Sequence, residues 1–186
     1  MSKKKDYWIQ TYTGKKFSLV DPQPEDVCFE DIAVVLSREG RYGNHTIYPY
    51  TVAEHSVRVS YVGSVQGEYL GDAFAHDFAE YVTGDIPNPM KCLLNEVSGG
   101  AMSEIEDRIA AVVADVFGVR WPVTDAVHFA DMTLLATEKR DLMLPEPASW
   151  MVLPKPLPER ISPWGDQAGL YFRRRYYELK RLGAIR

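Results

Sequence analysis

A chain of 186 residues is long enough for one domain with a real core, so residues 1–186 are read as a single unit. Hydrophobic residues make up 46% and aromatic residues 12%, which excludes an intrinsically disordered chain. A net charge of −5 argues against sequence-independent nucleic-acid binding, which needs a basic surface, but leaves room for small anionic substrates held by a local Arg or Lys.

The opening stretch reads as a short strand or hairpin around Thr13-Gly14-Lys15, followed by a turn at Asp21-Pro22-Gln23-Pro24. A first helix is expected over about residues 29–38, with Ile32, Val35 and Leu36 on its apolar face and Glu39-Gly40 closing it. The loop Arg41-Tyr42-Gly43-Asn44-His45-Thr46 leads to Thr51, which opens a second helix as N-cap, with Glu54 completing a capping box. Val52, His55, Val59 and Val62 fall on or near one face of it.

One continuous helix is expected over about residues 69–82, carrying His76, Asp77 and Glu80 and ended by Gly84. Ile86-Pro87-Asn88-Pro89 is a rigid turn before a short helix over about residues 90–94, and Ser98-Gly99-Gly100 reads as a mobile joint. Long helices follow over about residues 103–117 and 124–144. Residues 150–163 hold prolines 154, 156, 158 and 163 and read as an extended surface strap. A last amphipathic helix spans about residues 164–182, with Phe172, Tyr176 and Leu179 on one stripe. The fold class is therefore all-α, with a short N-terminal β element.

Cys28 and Cys92 stand alone, each read as a buried reduced thiol in a reducing compartment. Met1-Ser2-Lys3-Lys4-Lys5-Asp6-Tyr7 lacks an apolar core, so no signal peptide is expected. No apolar run approaches bilayer length, and a cytoplasmic location is the expectation.

The chemistry lies in a dispersed His and Asp set: His55, the pair His76-Asp77, and Asp131. Imidazole and carboxylate together suit a first-row divalent metal such as Mn, Fe, Co, Ni or Zn better than Ca. Neighbouring His76 and Asp77 point about 100° apart on a helix, yet both reach a metal lying between two helices. His128, three residues before Asp131, is a rival ligand on nearly the same face, and His45 is another candidate. Glu80 and Asp85 supply spare carboxylates beside the set, as needed to activate water against a phosphate ester. From spacing alone, a solvated-surface reading of these charges, and of Arg41 and Lys91, stays open.

Three segments sharpen this: Val52-Ala53-Glu54-His55-Ser56, His76-Asp77-Phe78-Ala79-Glu80 and Thr83-Gly84-Asp85-Ile86-Pro87-Asn88-Pro89-Met90-Lys91. They resemble the HD-domain phosphohydrolases, nearest to the bacterial 5′-deoxynucleotidases and the short phage proteins that hydrolyse dATP. Asp21-Pro22-Gln23-Pro24-Glu25-Asp26-Val27, Arg41-Tyr42-Gly43-Asn44-His45-Thr46 and Pro158-Glu159-Arg160-Ile161 extend the resemblance over nearly the whole chain. It implies an HD-type helical fold, a divalent transition metal (Co, Mn, Zn or Fe) on His55, His76, Asp77 and Asp131, and catalytic roles for Glu80 and Asp85. Arg41 and Lys91 match positions that hold substrate phosphate, and His128 becomes a bystander. Tyr42 and His45 are candidate substrate contacts, with ordinary packing open for each.

The implied reaction is hydrolysis of the C5′ phosphate ester of a deoxynucleotide. The phage-type reading is dATP to deoxyadenosine and triphosphate, draining dATP; the alternative is release of phosphate from deoxynucleoside monophosphates. A homo-oligomer is expected. Two rivals are a nucleotide sensor lacking catalysis and a cyclic-nucleotide phosphodiesterase, but none of the ligands or acidic residues is lost, and few histidines are left for extra ligands. Arg173-Arg174-Arg175 among Tyr171, Phe172, Tyr176 and Tyr177 reads as a solvated helix face or a subunit contact.

Overall fold

Gly14, at a φ of +85°, turns the chain between β1 (Trp8–Gln10) and β2 (Lys16–Ser18), which pair antiparallel with Ile9 opposite Phe17. The computed structural model describes residues 6–186; residues 1–5, most of the stretch read above for a signal peptide, lie outside the described residues. Phe17 is driven into the core, and the hairpin tip is tied down by buried Asp31, which accepts from Thr13 N at 2.6 Å and Thr13 Oγ1 at 2.9 Å. Everything else is helix and connection: α1 (Phe29–Leu36), α2 (Val52–Val59), α3 (Tyr69–Ala75), α4 (Glu80–Thr83), α5 (Asn88–Ser98), α6 (Ala101–Phe117), α7 (Asp125–Leu142) and α8 (Ala168–Arg181). The chain is thus mostly helical with a small two-stranded sheet, and no described helix is long and apolar enough to cross a membrane.

Two buried clusters organise these helices. The larger gathers Phe17, Ile32, Leu36, Val52, Val57, Phe74, Phe78, Ile109, Val113, Phe117, Phe172, Tyr176 and Leu179. Its centre is aromatic: Phe172 lies 4.7 Å from Phe74 and 5.5 Å from Phe78, ring centre to ring centre. The smaller joins Val59, Val62, Val65 and Ala73 to Val127, Ala130 and Leu134 of α7, with Leu157 and Ile161 packed against it. Helix α2 bridges the two, packing on α8, α3, α7 and α1.

Several expectations need correction. The 69–82 helix is broken: residues 76–79 form turns in which Phe78 N–H donates to Ala75 O and Glu80 N–H to Asp77 O, the tighter i→i−3 pattern. The helix after Pro87 is twice as long as expected, because Pro89 falls in the first turn of α5, where its missing N–H removes no bond. Glu54 forms only half a capping box: Thr51 Oγ1 accepts from Glu54 N at 3.2 Å, but the Glu54 carboxylate is drawn to Arg58 and to Trp164 N. The joint at Gly99 and Gly100 closes into a left-handed turn, with Gly100 N–H on Asn95 O and Asn95 bonded to Ser103. Cys92 is exposed, on a helix with no buried residue, and Cys28 is half-buried.

The strap has no regular structure, yet it is fastened. Leu157 N–H donates to Thr137 Oγ1, Ile161 N–H to Asp141, and Arg140 to the carbonyls of Leu157 and Glu159. The C-terminus is fastened as closely: a Cβ on Gly71 would stand 1.8 Å from Ala184 O. Gly71→Ala should therefore cost about 1–3 kcal/mol in urea denaturation through overpacking, and much less in a chain shortened before Gly183. An equal cost in both backgrounds would mean that the tail contact is not the cause.

Candidate metal centre

Seven of the eight residues of α2 are buried, three of them polar: Glu54, His55 and Ser56. A buried ionisable side chain needs a partner. For His55, which is fully buried, that partner is Glu138 on α7: Oε1 accepts from His55 Nδ1 at 2.7 Å. His76, at the end of α3, is turned in the same way by Ala73 O, 2.8 Å from its Nδ1. The same carbonyl is the acceptor that the Asp77 N–H would use in an unbroken helix, so the bond that orients His76 coincides with the break in the helix.

With both Nδ1 atoms committed, the two Nε2 atoms converge, 3.2 Å apart. Asp131 Oδ1, from α7, stands 3.1 Å from His55 Nε2 and 3.9 Å from His76 Nε2. Asp77 Oδ2 stands 3.2 Å from His76 Nε2 and 3.5 Å from His55 Nε2. Atoms bound side by side at about 2.1 Å from one metal are separated by about 3 Å, so these spacings fit a shared ion. His55, His76 and Asp131 each offer a ligand atom within 4.8 Å of the others, and Asp77 joins them through the two imidazoles.

The surroundings are strongly anionic. Asp77, Glu80, Asp85, Asp131 and Glu138 are five carboxylates, against Arg41 and Lys91 as fixed cations. Burial opposes charge on Asp77, but His76, His55 and Arg41 hold its carboxyl well below the usual range. Burial likewise opposes charge on Asp131 and Glu138, and His55 dominates in holding both down. Glu80 is the exception. Burial, then Asp77 and Asp85, push it well above the ordinary carboxylate range, and its Oε2 is buried without a hydrogen-bond partner. At His55, burial and Arg41 disfavour the charged ring, yet Glu138 and Asp131 outweigh them and push it up to about 10. The surrounding carboxylates thus favour positive charge at His55.

The other expected residues fall around this cluster. Arg41 Nη1 donates to Asp77 Oδ2 at 3.2 Å, and its Nε lies 3.5 Å from Glu138 Oε2, so it faces these two carboxylates. Tyr42 adopts a left-handed backbone (φ 58°, ψ 28°), a strained choice for an aromatic residue. Its N–H donates to Asp85 Oδ2 at 3.1 Å and its hydroxyl to Glu138. Lys91, from α5, pairs with Glu106 at 3.0 Å and lies 3.8 Å from Glu80. Glu80 is not one helical turn beyond His76 but begins a separate helix after the break. His45 and His128 are exposed, and neither belongs to the converging group.

Sequence reasoning missed Glu138. The available signal was its position seven residues after Asp131, two turns along the same face of α7, in a stripe with buried Leu134. It was also missed that Trp150, at the start of the strap, lies 6.5 Å from the Tyr42 ring.

Because Glu138 fixes the tautomer and angle of His55, Glu138→Gln should weaken Mn or Co binding about 10- to 100-fold in calorimetric titration. His128→Ala should leave affinity unchanged. Wild-type affinity in the Glu138 variant would remove it from the orienting role.

No family model matches the chain. The uncharacterized protein YfdR of Escherichia coli K12 is 36% identical over 146 residues, covering 78% of each chain. An uncharacterized protein of Rhodobacter capsulatus is 33% identical over 135 residues, 67% of each. At that identity over most of both lengths, this chain belongs to the family of YfdR.

Proposed function

We propose that the protein is an HD-type, metal-dependent phosphohydrolase that cleaves the C5′ phosphate ester of deoxynucleotides. The observation that carries this reading is the convergence of two pre-oriented imidazole Nε2 atoms at 3.2 Å, flanked by Asp77 and Asp131 oxygens. The residues fit a divalent transition metal, Mn, Fe, Co or Zn, in ligand type and spacing. Substrate choice follows the resemblance of the segment from Asp21 to His45 to the phage-type proteins, which favours dATP, giving deoxyadenosine and triphosphate. Release of phosphate from deoxynucleoside monophosphates is the alternative, at the same bond.

When bound, the metal supplies Lewis acidity that lowers the pKa of water and polarises the phosphoryl group. The chain supplies the rest. Glu80, ionised where a bound cation would offset the push of Asp77 and Asp85, takes the proton of the attacking water on its unpartnered Oε2 and returns it to the departing 5′-oxygen as the phosphorus–oxygen bond breaks. Asp85, engaged by Tyr42 N–H, raises the proton affinity of Glu80 through its charge. Arg41 holds Asp77 with one nitrogen and has further N–H groups for phosphate. Lys91 offers a point charge beside Glu80.

The test is a product assay on Mn- or Co-loaded protein, with each deoxynucleoside mono- and triphosphate offered separately. Triphosphate and deoxyadenosine from dATP are expected. Phosphate from monophosphates, with triphosphates untouched, would move the assignment to the 5′-nucleotidase alternative; no product from either would end the hydrolase reading. Glu80→Ala should keep stoichiometric metal and lower kcat about 10²- to 10⁴-fold, whereas Asp77→Ala should lose both metal and turnover.

A further inference from the structure

Helix α8 presents two faces. One, including Phe172, Tyr176 and Leu179, is buried in the larger core. Beside it, Tyr171, Arg174, Glu178 and Arg181 follow at helical spacing along a groove of about 370 Å³. Val57 of α2, Tyr61 just beyond it and Trp164 also line the groove. That volume lies within the range of small-molecule sites. None of the metal-centre residues lines it.

The charges in the groove do not cancel. Buried Arg175 also lines it: Nε donates to Ser60 Oγ at 2.9 Å, Nη2 to Ser60 O at 3.0 Å, and the guanidinium lies 4.0 Å over the Tyr61 ring. Its Nη1 pairs with Glu178 at 2.9 Å, and Tyr61 donates its hydroxyl to the same carboxylate. Glu178 is therefore already balanced by Arg175. Arg174 and Arg181 are exposed and have no ion-pair partner among the described residues. Arg181 acts on Glu178 only at longer range, so three guanidiniums face one carboxylate and the groove is locally positive on a chain of net charge −5.

The walls between them are aromatic. Trp164 and Tyr171 meet at 4.7 Å with their planes 55° apart. Arg58 covers one face of Trp164 at 4.4 Å, and Tyr61 remains 61% exposed beyond its contact with Arg175. Aromatic faces take flat rings, and guanidinium forks take phosphate or carboxylate.

We propose that this groove is a second binding site, for a small planar aromatic anion: its ring packs on Tyr61, Trp164 and Tyr171, and its anionic group is held by Arg174 and Arg181. The assignment is independent of the proposed hydrolase activity.

The test is calorimetric titration of the full, metal-free chain with GMP as probe, alongside guanosine and inorganic phosphate as its two halves. GMP should bind more tightly than either half. Arg174→Ala/Arg181→Ala should weaken GMP at least tenfold while Mn binding stays at the wild-type value. Tyr171→Ala should weaken GMP but not phosphate. Absence of GMP binding would overturn the proposal, as would GMP affinity unchanged by the double arginine variant, which would locate the nucleotide elsewhere. Phosphate binding as tightly as GMP would overturn the aromatic half of the assignment.

Discussion

The structure turns on two hydrogen bonds to imidazole Nδ1 atoms. Glu138 and Ala73 O fix the outward side of His55 and His76, and this forces both Nε2 atoms to one point. A chain of dependence runs outward. Glu138 is buried, and its charge is tolerable because His55, Arg41 and Tyr42 surround it. Tyr42 reaches Glu138 from a left-handed backbone, and Asp85 holds that backbone through the Tyr42 N–H. Arg41, one residue earlier, is pinned by its own N–H to Tyr50 O, where Gly40 and Thr51 pair just before α2 begins. The 41–44 turn is thus a brace for the ligand set as well as a wall of the site.

Electrostatics give the arrangement its direction. Carboxylates outnumber fixed cations five to two around the convergence point, and water is largely excluded from His55, Glu138 and Glu80. In such surroundings a cation is favoured at the centre, and a carboxyl just outside it, Glu80, is pressed toward its neutral form. A carboxyl of raised proton affinity beside ionised ones is suited to accept a proton and pass it on. The difference comes from position: Asp77 faces two imidazoles as well as Arg41, whereas Glu80 faces two carboxylates that outweigh Arg41 and Lys91.

What the sequence disclosed was what repeats or caps. The stripe Phe172, Tyr176 and Leu179, the Thr51 cap and the Gly14 turn are local signals, and the structure contains them. The four ligand candidates were legible because His and Asp in apolar helical settings are costly without a purpose. What was not legible depended on three dimensions. The break at residues 76–79 involves a side chain competing for a carbonyl, which helical periodicity does not record. Glu138 looked like one more helix carboxylate until α2 was packed against α7. The strap read only as an extended surface segment, because its fastening lies in Thr137, Arg140 and Asp141, on another element.

The position of the cluster between the two cores has a mechanical consequence. His55 belongs to α2, which packs into both; His76 ends α3; Asp131 sits on α7 between Ala130 and Leu134, in the smaller core. A cation bound by these side chains would join three helices that otherwise meet here through apolar packing and the His55–Glu138 hydrogen bond. Ion binding and the docking of α7 are then coupled, because each raises the local concentration of the other's partners. Glu138 tightens the coupling, since the helix that brings Asp131 to the centre also brings the carboxylate that aims His55. A small displacement of α7 would withdraw a ligand and release an imidazole together. The site is therefore as rigid as the α2–α7 interface, and the apolar residues of that interface, Val59, Val127, Ala130 and Leu134, belong to its architecture as much as the ligands do.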